Sequence, residues 1–384
     1  MPERGIKVYL VLGEASGDKL AADLVTAIND KVSGDGKQIE YRGLAGPELQ
    51  KQGHKSLFDI DDISVMGISA VMARLPTIIS RIYQTVSDIV AEKPDVIVLI
   101  DSPDFTHAVA KRVRKKLPDV PIINYVCPSV WAWRSSRARA MRAYVDHVLA
   151  ILPFEPDVLQ KLGGPNATYI GHPLARQIAN SKKPDTGRTL SIPTILVLPG
   201  SRKSELKRML QLYGKTLEVL QQRGLEFQAV LPAVPKLKDY LHTETRGWAV
   251  QPQIVDSADN SKNFPRAQAA IATSGTVSLE LALHRVPTVI GYRLDSIARL
   301  FSGLIDTWSA VLPNHILDRI VVPEEHNEMV IPERMARYLE RLLADSPERQ
   351  YQLDSFTELA ERMKTKRPPG ELAAEIVLEH TQVK

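Results

Sequence analysis

The chain has 384 residues, which is long enough for two domains with separate hydrophobic cores. Its 49 basic and 45 acidic residues leave a net charge of only +4, which excludes the strongly basic footprint of a nucleic-acid-binding protein. Cys127 is the only cysteine, so an intrachain disulfide and a cysteine-built metal site are also excluded.

The N-terminus lacks the pattern of a secretory signal, because its apolar run already stops at Gly13. No apolar stretch approaches the ~20 residues that a membrane span needs. We therefore expect a cytoplasmic protein, and any contact with a membrane should be peripheral.

Short runs rich in Val, Ile and Leu recur between amphipathic stretches along the chain. They cover residues 7–12, 96–100, 122–126, 148–152, 195–198, 228–231, 269–272 and 288–292. Apolar strands that alternate with helices are typical of parallel sheets covered on both faces. The predicted fold class is α/β, with two doubly wound Rossmann-like domains that face a central cleft.

The strand pattern breaks between residues 163 and 191, where glycine–proline turns and a polar run replace it. We place the domain boundary there and expect an N-terminal Rossmann-like domain at 1–175 and a C-terminal one at 176–345. Residues 346–384 are predicted to be helical and to pack back on the N-terminal half.

The first apolar run leads into a loop of small residues, 13–18, that opens a helix. Glycine and serine let a ligand approach the backbone of such a loop. Its acidic side chains would repel a phosphate but can accept hydrogen bonds from hydroxyls. The residues expected to line this alcohol-binding side are Glu14, Ser16, Gly17 and Asp18.

The stretch 65–83 is strongly apolar and is relieved mainly by Arg74 and Arg81. It is suited either to the headgroup region of a membrane or to burial against the sheet. The sequence leaves both alternatives open.

Asp101 directly follows the apolar run 96–100. A partly desolvated carboxylate at the carboxyl end of a buried strand is a candidate general base. The alternative is a helix N-cap, because a proline two residues later is also typical of a helix start. Asp104 is the weaker catalytic candidate.

Residues 125–134 follow another strand and contain Trp131 and Trp133. Tryptophans in such a loop can stack on a sugar or an acyl chain, with Arg134 available for a phosphate. The alternative is that both rings cover the core. Cys127 is interpreted as a small buried residue and not as a nucleophile.

Two loops of the second half are predicted to bind a nucleotide. Residues 199–202 follow a strand, and Arg202 adds a planar, positively charged guanidinium group that can make paired hydrogen bonds to a diphosphate. Residues 273–276 follow another strand, and Glu280 lies one helical turn further, within reach of a ribose if the phosphates bind the loop amides. The alternative is that Thr276 caps the helix and that Glu280 is a solvated acid.

The sequence contains neither the G-x-G-x-x-G fingerprint nor a Walker loop, which argues against a dinucleotide oxidoreductase or a P-loop phosphotransferase. The Asp59-x-Asp61 pattern is interpreted as an acidic helix start. We predict no bound metal and no cofactor.

Taken together, these motifs resemble the lipid-A-disaccharide synthase family, which are glycosyltransferases of the GT-B type with two Rossmann-like domains. The motifs occur in order at residues 13–18, 65–67, 100–105, 128–134, 152–155, 171–173, 198–202, 274–276 and 312–314. Each is weak alone, but the joint occurrence is specific, above all because of the double tryptophan.

The resemblance implies transfer of 2,3-diacylglucosamine from its UDP conjugate to the 6-hydroxyl of 2,3-diacylglucosamine 1-phosphate. The products are the β-1,6-linked disaccharide 1-phosphate and UDP, so the reaction inverts the anomeric centre. The resemblance also implies that Asp101 is the general base and that the donor is bound by Gly200, Ser201, Arg202, Ser274, Gly275, Thr276, Glu280 and Asn314.

Because both substrates carry acyl chains, the resemblance further implies peripheral association with the inner membrane. Oligomerisation stays open. Two rival functions remain: a UDP-sugar 2-epimerase of the same architecture, and a non-catalytic protein that binds lipid or nucleotide at a membrane surface.

Overall fold

The computed structural model describes residues 5–33, 38–64, 68–180, 192–294 and 307–381, with only the backbone described at 68–72. Contacts within the chain define two units. The first consists of Met1–Pro173 together with Thr365–Lys384, and the second of Leu174–Lys364. In the part of the chain that is described, each unit contains one six-stranded parallel sheet, which confirms the predicted α/β class.

The first sheet has the strand order β2-β1-β3-β4-β5-β6. All of its described pairings are parallel, and the central strand β3 is buried along its whole length because it is entirely apolar. The strands are β1 (Ile6–Leu12), β2 (Ile39–Gly43), β3 (Val96–Ile100), β4 (Ile122–Tyr125), β5 (His147–Ala150) and β6 (Asn166–Tyr169). The helices that follow them are α1 (Ala15–Val32), α2 (Pro47–Lys51), α3 (Ile68–Glu92), α4 (Pro103–Arg114), α5 (Ser136–Met141), α6 (Glu155–Lys161) and α7 (Pro173–Asn180).

The second sheet is built in the same way, with the order β12-β11-β10-β7-β8-β9. Its strands are β7 (Thr194–Leu198), β8 (Gln228–Ala233), β9 (Gln253–Asp256), β10 (Ala269–Ala272), β11 (Thr288–Tyr292) and β12 (Glu324–His326). The remaining helices are α8 (Lys203–Gln222), α9 (Lys238–Thr245), α10 (Asn260–Asn263), α11 (Val277–Leu283), α12 (Leu312–Leu317), α13 (Pro332–Leu343), α14 (Pro347–Arg362) and α15 (Pro369–Thr381).

The chain returns from the second unit to the first at Thr365, further along the sequence than the predicted residue 346. We expected residues 346–384 to return to the first half, but α14 packs on the second unit and only the segment from Thr365 onward belongs to the first. The buried side chain of Gln352 on α14 pairs with both backbone groups of Thr288, at 2.7 and 3.0 Å. This pairing fixes α14 to the start of β11, and no local sequence pattern reveals it.

Helix α15 packs against α1. Lys31 and Glu375 form an ion pair of 3.0 Å between these helices, and a Cβ atom at Gly370 would lie 3.3 Å from the carbonyl oxygen of Asp23. Among the helices described, none has both the length and the apolar composition needed to cross a membrane.

A buried polar cluster connects α4 to β4. The Nε2 atom of His107 lies 3.0 Å from Oδ1 of Asn124, and the Tyr144 hydroxyl lies 3.3 Å from Nδ1 of the same imidazole. The Asn124 side chain also donates to the carbonyl of Val126, over 2.8 Å. Burial lowers the pKa of His107 from 6.5 to about 4.

We expect this cluster to make the fold acid-sensitive. Below pH 6.5 the unfolded chain binds a proton at His107, whereas the folded chain does so only near pH 4, so stability falls as the pH falls through this window. A shift of this size corresponds to at most about 3 kcal/mol. Thermal unfolding between pH 7 and 4.5 should therefore show a steeper loss for the wild type than for His107→Gln.

The exposed His242 on α9 offers the matched control, because His242→Gln should leave the wild-type slope unchanged. Parallel curves for the wild type and His107→Gln across this pH range would show that His107 contributes nothing to the acid sensitivity.

Candidate active site

The topology of the first sheet brings two predicted site segments together. The strand order reverses between β1 and β3, and ligands of open parallel sheets bind outside the carboxyl ends of the strands at such a switch point. Glu14 follows β1 and Asp101 follows β3. The Ser16 hydroxyl donates a hydrogen bond of 2.8 Å to Oδ2 of Asp101, so both loops contribute to one polar cluster.

Asp101 is held in an unusual backbone conformation. Asp101 and Ser102 have φ angles of 57° and 42°, which non-glycine residues seldom adopt and which concentrate at functional sites. The Asp101 amide donates to the carbonyl of Tyr125, and Oδ1 accepts from the Ser102 amide over 2.8 Å. Ser102 is itself the residue before α4, so Asp101 does not cap the helix in the way that the alternative interpretation required.

Two glycines allow the first loop to approach the Asp101 turn. A Cβ atom at Gly17 would lie 3.2 Å from the carbonyl oxygen of Ile100, and one at Gly13 would lie 2.7 Å from the Ser102 hydroxyl. A larger residue at either position would push α1 away from the turn. The predicted residue Gly17 therefore contributes close packing beside Asp101.

For Asp18 the structure corrects the expectation. Its side chain is 1% exposed, and its carboxylate accepts hydrogen bonds from the amides of Gly46, Glu48 and Leu49. These amides belong to the start of α2, which Asp18 therefore caps from another part of the chain. The other acid in the loop, Glu14, is half-buried, and its contact with a hydroxyl stays a prediction.

The two tryptophans after β4 have different environments. Trp131 is half-buried and meets Phe154 edge to face, with 5.4 Å between the ring centroids. Trp133 is 37% exposed, and the Arg134 guanidinium lies 5.1 Å from its ring centroid. The core-covering alternative thus holds for Trp131 alone. Cys127 is buried, and burial raises the pKa of its thiol, as expected of a residue that is not a nucleophile.

The second sheet has its switch point between β7 and β10, where the two predicted nucleotide loops begin. The Thr273 amide donates to the carbonyl of Leu198 over 2.9 Å, which joins the two strand ends. The Ser274 hydroxyl donates to the carbonyl of Ala310. In the described part of the chain, the amides of residues 274–277 take part in no hydrogen bond, so they are open to an anion.

Glu205 is a site residue that the sequence interpretation missed. Its Oε2 atom accepts hydrogen bonds from the amides of Ser201 and Arg202, at 3.0 and 3.2 Å. Gly200, with φ of 118°, makes room for this side chain, since a Cβ atom there would lie 2.5 Å from Glu205. An acid at the third position of a helix is the usual signal of such backward capping and would have revealed it.

The occupied amides change the predicted role of this loop. A carboxylate already fills the anion-binding end of α8, so the Ser201 and Arg202 backbones are not open to a phosphate. The Arg202 side chain is 57% exposed, and its Nη1 atom lies 3.5 Å from Oε1 of Glu205. The guanidinium is therefore the part of the loop that remains available to a diphosphate.

Glu280 lies where the sequence placed it, one turn after the loop. Its amide donates to the carbonyl of Thr276, and its half-buried carboxyl has a pKa raised by burial. The Thr276 side chain makes no capping hydrogen bond. The alternative of a capping threonine and a fully solvated acid is therefore not supported.

Asn314 has a structural role instead of the predicted nucleotide contact. Its side chain is fully buried, and its oxygen accepts from the amides of Val321 and Val322. Its nitrogen donates to the Ser309 hydroxyl and to the carbonyl of Val322. All four hydrogen bonds that an asparagine side chain can make are thus used within the protein. Asn314 fixes the segment that supports the Ser274 loop.

The Asp59-x-Asp61 pattern is a helix start, as interpreted from the sequence. Asp59 Oδ1 accepts from the Asp61 amide over 3.0 Å and so caps a single 3-10 turn, Ile60–Asp62. In the residues described, no three His, Cys, Asp or Glu side chains converge as metal ligands would.

Sequence comparison identifies the family. The sequence model of the lipid-A-disaccharide synthetase family matches residues 8–377. The chain belongs to this family. A lipid-A-disaccharide synthase of Nitrobacter winogradskyi is 45% identical over 380 residues, covering 97% of this chain and 95% of the relative. One of Rhodopseudomonas palustris is 44% identical over 378 residues, with the same coverage. The resemblance seen in the sequence is confirmed.

Solved structures show the same fold at low sequence identity. The Methanocaldococcus jannaschii UDP-GlcNAc 2-epimerase, in complex with UDP-GlcNAc and UDP, has a TM-score of 0.57 at 12% identity and covers 97% of this chain and 100% of its own. A glycosyltransferase from Rickettsia africae has a TM-score of 0.56 at 10% identity, and each chain is covered completely. These similarities support the two-unit Rossmann-like fold.

The structural role of Asn314 leads to a test. We expect Asn314→Ala to lower the free energy of unfolding by roughly 2–4 kcal/mol, because it leaves buried polar groups without partners. Asn314→Asp should also destabilise the protein, because a buried carboxylate oxygen would face the Val322 carbonyl in place of a donor. Thermal unfolding and UDP affinity should be measured for both variants. An Asn314→Ala protein of full stability that no longer binds UDP would restore the nucleotide role.

Proposed function

We propose that the chain catalyses the transfer implied by its family, from UDP-2,3-diacylglucosamine to the 6-hydroxyl of 2,3-diacylglucosamine 1-phosphate. The products are the β-1,6-linked disaccharide 1-phosphate and UDP. The observation that carries the proposal is the Asp101 carboxylate, held by Ser16 at the switch point of the first sheet in a chain of this family.

Inversion of an α-linked donor needs a single displacement, with a base on the attacking hydroxyl and charge stabilisation for the leaving group. Asp101 takes the proton of the 6-hydroxyl while the hydroxyl oxygen bonds to the anomeric carbon. The carbon–oxygen bond to UDP breaks in the same step. The Ser16 hydrogen bond orients the carboxylate, and Glu14 accepts from another hydroxyl of the acceptor.

The donor is bound by the second unit. The exposed Arg202 guanidinium and the open amides of residues 274–277 neutralise the diphosphate, and the charge that develops as UDP leaves is stabilised in the same way. Glu280 accepts hydrogen bonds from the ribose hydroxyls. Gly200, Ser201 and Asn314 do not contact the donor directly in this proposal. They hold the backbone of the loops through hydrogen bonds and close packing.

The epimerase alternative rests on architecture alone. Three solved 2-epimerases share 12–15% identity with the chain, which shows the fold and not the reaction. The curated relatives at 41–45% identity are named lipid-A-disaccharide synthases. A UDP-sugar donor alone separates the alternatives, because an epimerase converts it without an acceptor.

We expect the wild type to form disaccharide 1-phosphate and UDP only when donor and acceptor are both present. Asp101→Asn should lower kcat by about 100-fold or more, because general-base assistance is lost, and should leave UDP affinity within twofold of wild type. Mass spectrometry of the products and calorimetry with UDP measure the two quantities.

Asp104 provides the matched control one turn along α4. It is 87% exposed and paired with Arg137, and Asp104→Asn should retain near wild-type turnover. Conversion of the donor without an acceptor would establish the epimerase reaction instead. Unchanged turnover in Asp101→Asn would remove Asp101 from the base role.

We further propose that α3 contacts the membrane in which acylated substrates reside. Leu75, Ile79 and Tyr83 recur every four residues on one face of the helix and are 38%, 44% and 58% exposed. Ile82 and Val86 on another face are buried in the core. Burial against the core thus holds for this second face, and the exposed apolar stripe supports the proposal of peripheral binding at the inner membrane.

The membrane contact can be tested with vesicles of phosphatidylethanolamine and phosphatidylglycerol. We expect the double variant Leu75→Ser with Ile79→Ser to bind them about tenfold or more weakly, because two apolar side chains are lost from the lipid. Ile320→Ser with Ile331→Ser is the control, since these side chains of the second unit are also exposed. Equal sedimentation of both double variants with vesicles would contradict the proposal.

A further inference from the structure

The loop formed by residues 126–135, here called the double-tryptophan loop, packs against the turn between β5 and α6. Trp131 packs on Phe154, which directly precedes Glu155. The Glu155 side chain is 2% exposed and accepts from the amides of Ile151 and Leu152, at 3.1 and 3.0 Å. The loop is therefore tied to the turn between β5 and α6.

On its outer side the same loop presents an aromatic ring and a cation together. Trp133 is exposed, and Arg134 is stacked on it. The cation–π contact holds the guanidinium in place at little cost, and Trp133 keeps an apolar surface available. Arg134 has a φ of 52°, an uncommon conformation for a residue of its size, which the anchored loop maintains.

Arg134 differs from its neighbour Arg137 in its charge balance. Arg137 forms an ion pair of 2.7 Å with Asp104, so its charge is already compensated. Arg134 has no carboxylate partner among the described residues, and its side chain is exposed. Between these two arginines, Arg134 is the cation that is open to a ligand.

The position of Arg134 connects it to the proposed reaction. The loop starts after β4, the neighbour of β3 in the sheet, and the Tyr125 carbonyl at its start accepts from the Asp101 amide. The candidate base and the double-tryptophan loop thus lie at the same carboxyl edge of one sheet. In the acceptor sugar, C1 with its phosphate and C5 with the 6-hydroxymethyl group are both bonded to the ring oxygen, so the phosphate lies near the hydroxyl that reaches Asp101.

We infer that Arg134, held on Trp133, binds the phosphate of the acceptor and selects for phosphorylated sugars. This inference rests on the proposed function. The planar guanidinium can donate two parallel hydrogen bonds to a phosphate, and the exposed Trp133 surface can pack on the sugar ring or on the first methylenes of an acyl chain. Arg134 is then a specificity-determining residue in direct contact with the acceptor.

The test compares two acceptors, 2,3-diacylglucosamine 1-phosphate and the same sugar without the phosphate. Arg134→Ala should raise KM for the phosphorylated acceptor by about 10- to 150-fold, the range for a lost charged hydrogen bond. It should change kcat/KM for the unphosphorylated acceptor by less than about threefold, because that acceptor never makes the contact. The preference of the wild type for the phosphate should largely disappear.

Two variants provide controls on the same surface. Arg134→Lys should keep part of the preference for the phosphorylated acceptor. A lysine retains the positive charge but cannot donate the two parallel hydrogen bonds of a guanidinium group. Arg137→Ala should keep the wild-type preference, because its charge is already paired with Asp104. Equal losses of Arg134→Ala for both acceptors would overturn the inference and leave the proposed function intact. A wild type that forms no disaccharide from either acceptor would overturn both.

Discussion

The reversal of strand order in each parallel sheet is the constraint on which the candidate site depends. Where β1 meets β3, and where β7 meets β10, the connections leave in opposite directions, and open parallel sheets bind their ligands at such a switch point. A glycine serves each loop: Gly17 lets α1 approach the end of β3 beside Asp101, and Gly200 makes room for the Glu205 side chain. The fold thus creates two polar openings before any individual side chain is considered.

Irregular backbone at these openings determines which polar side chains remain for a ligand. Loop amides outside a helix or a strand need partners, and nearby acids and amides provide them. Asp18 caps α2, and Glu205 accepts hydrogen bonds from the amides at the start of α8. The Asn314 side chain makes all its hydrogen bonds within the protein. By contrast, Asp101 receives a hydrogen bond at each oxygen from its own loop cluster and stays half-buried at the edge of the sheet.

The strands and their alternation with helices could be predicted from the sequence, because buried parallel strands carry continuous apolar runs. Strands β3 and β7 are clear examples. For the same reason, the motifs placed Asp101 and Arg202 after strand ends and Glu280 one turn beyond the loop that follows a strand. The roles of Asp18 and Asn314 could not be predicted, because an isolated acid or amide gives no sign of the backbone amides that it contacts in the fold. The attachment of α14 depends in the same way on Gln352 and Thr288, which are 64 residues apart. Glu205 is different, since a local capping pattern was available.

Charge separates the two sites in a way that suits an inverting transfer. A general base must stay anionic beside a neutral hydroxyl, whereas a departing diphosphate needs cations and amides, and a single site cannot provide both environments equally well. The chain assigns carboxylates, Glu14 and Asp101, to the switch point of one sheet and the Arg202 guanidinium with open amides to that of the other. On the first sheet, a phosphate on the acceptor would be repelled by these carboxylates unless a cation stood nearby. Arg134, stacked on Trp133 in the neighbouring loop and without a carboxylate partner among the described residues, would meet that requirement, so the inferred phosphate contact and the acidic cluster form one electrostatic argument.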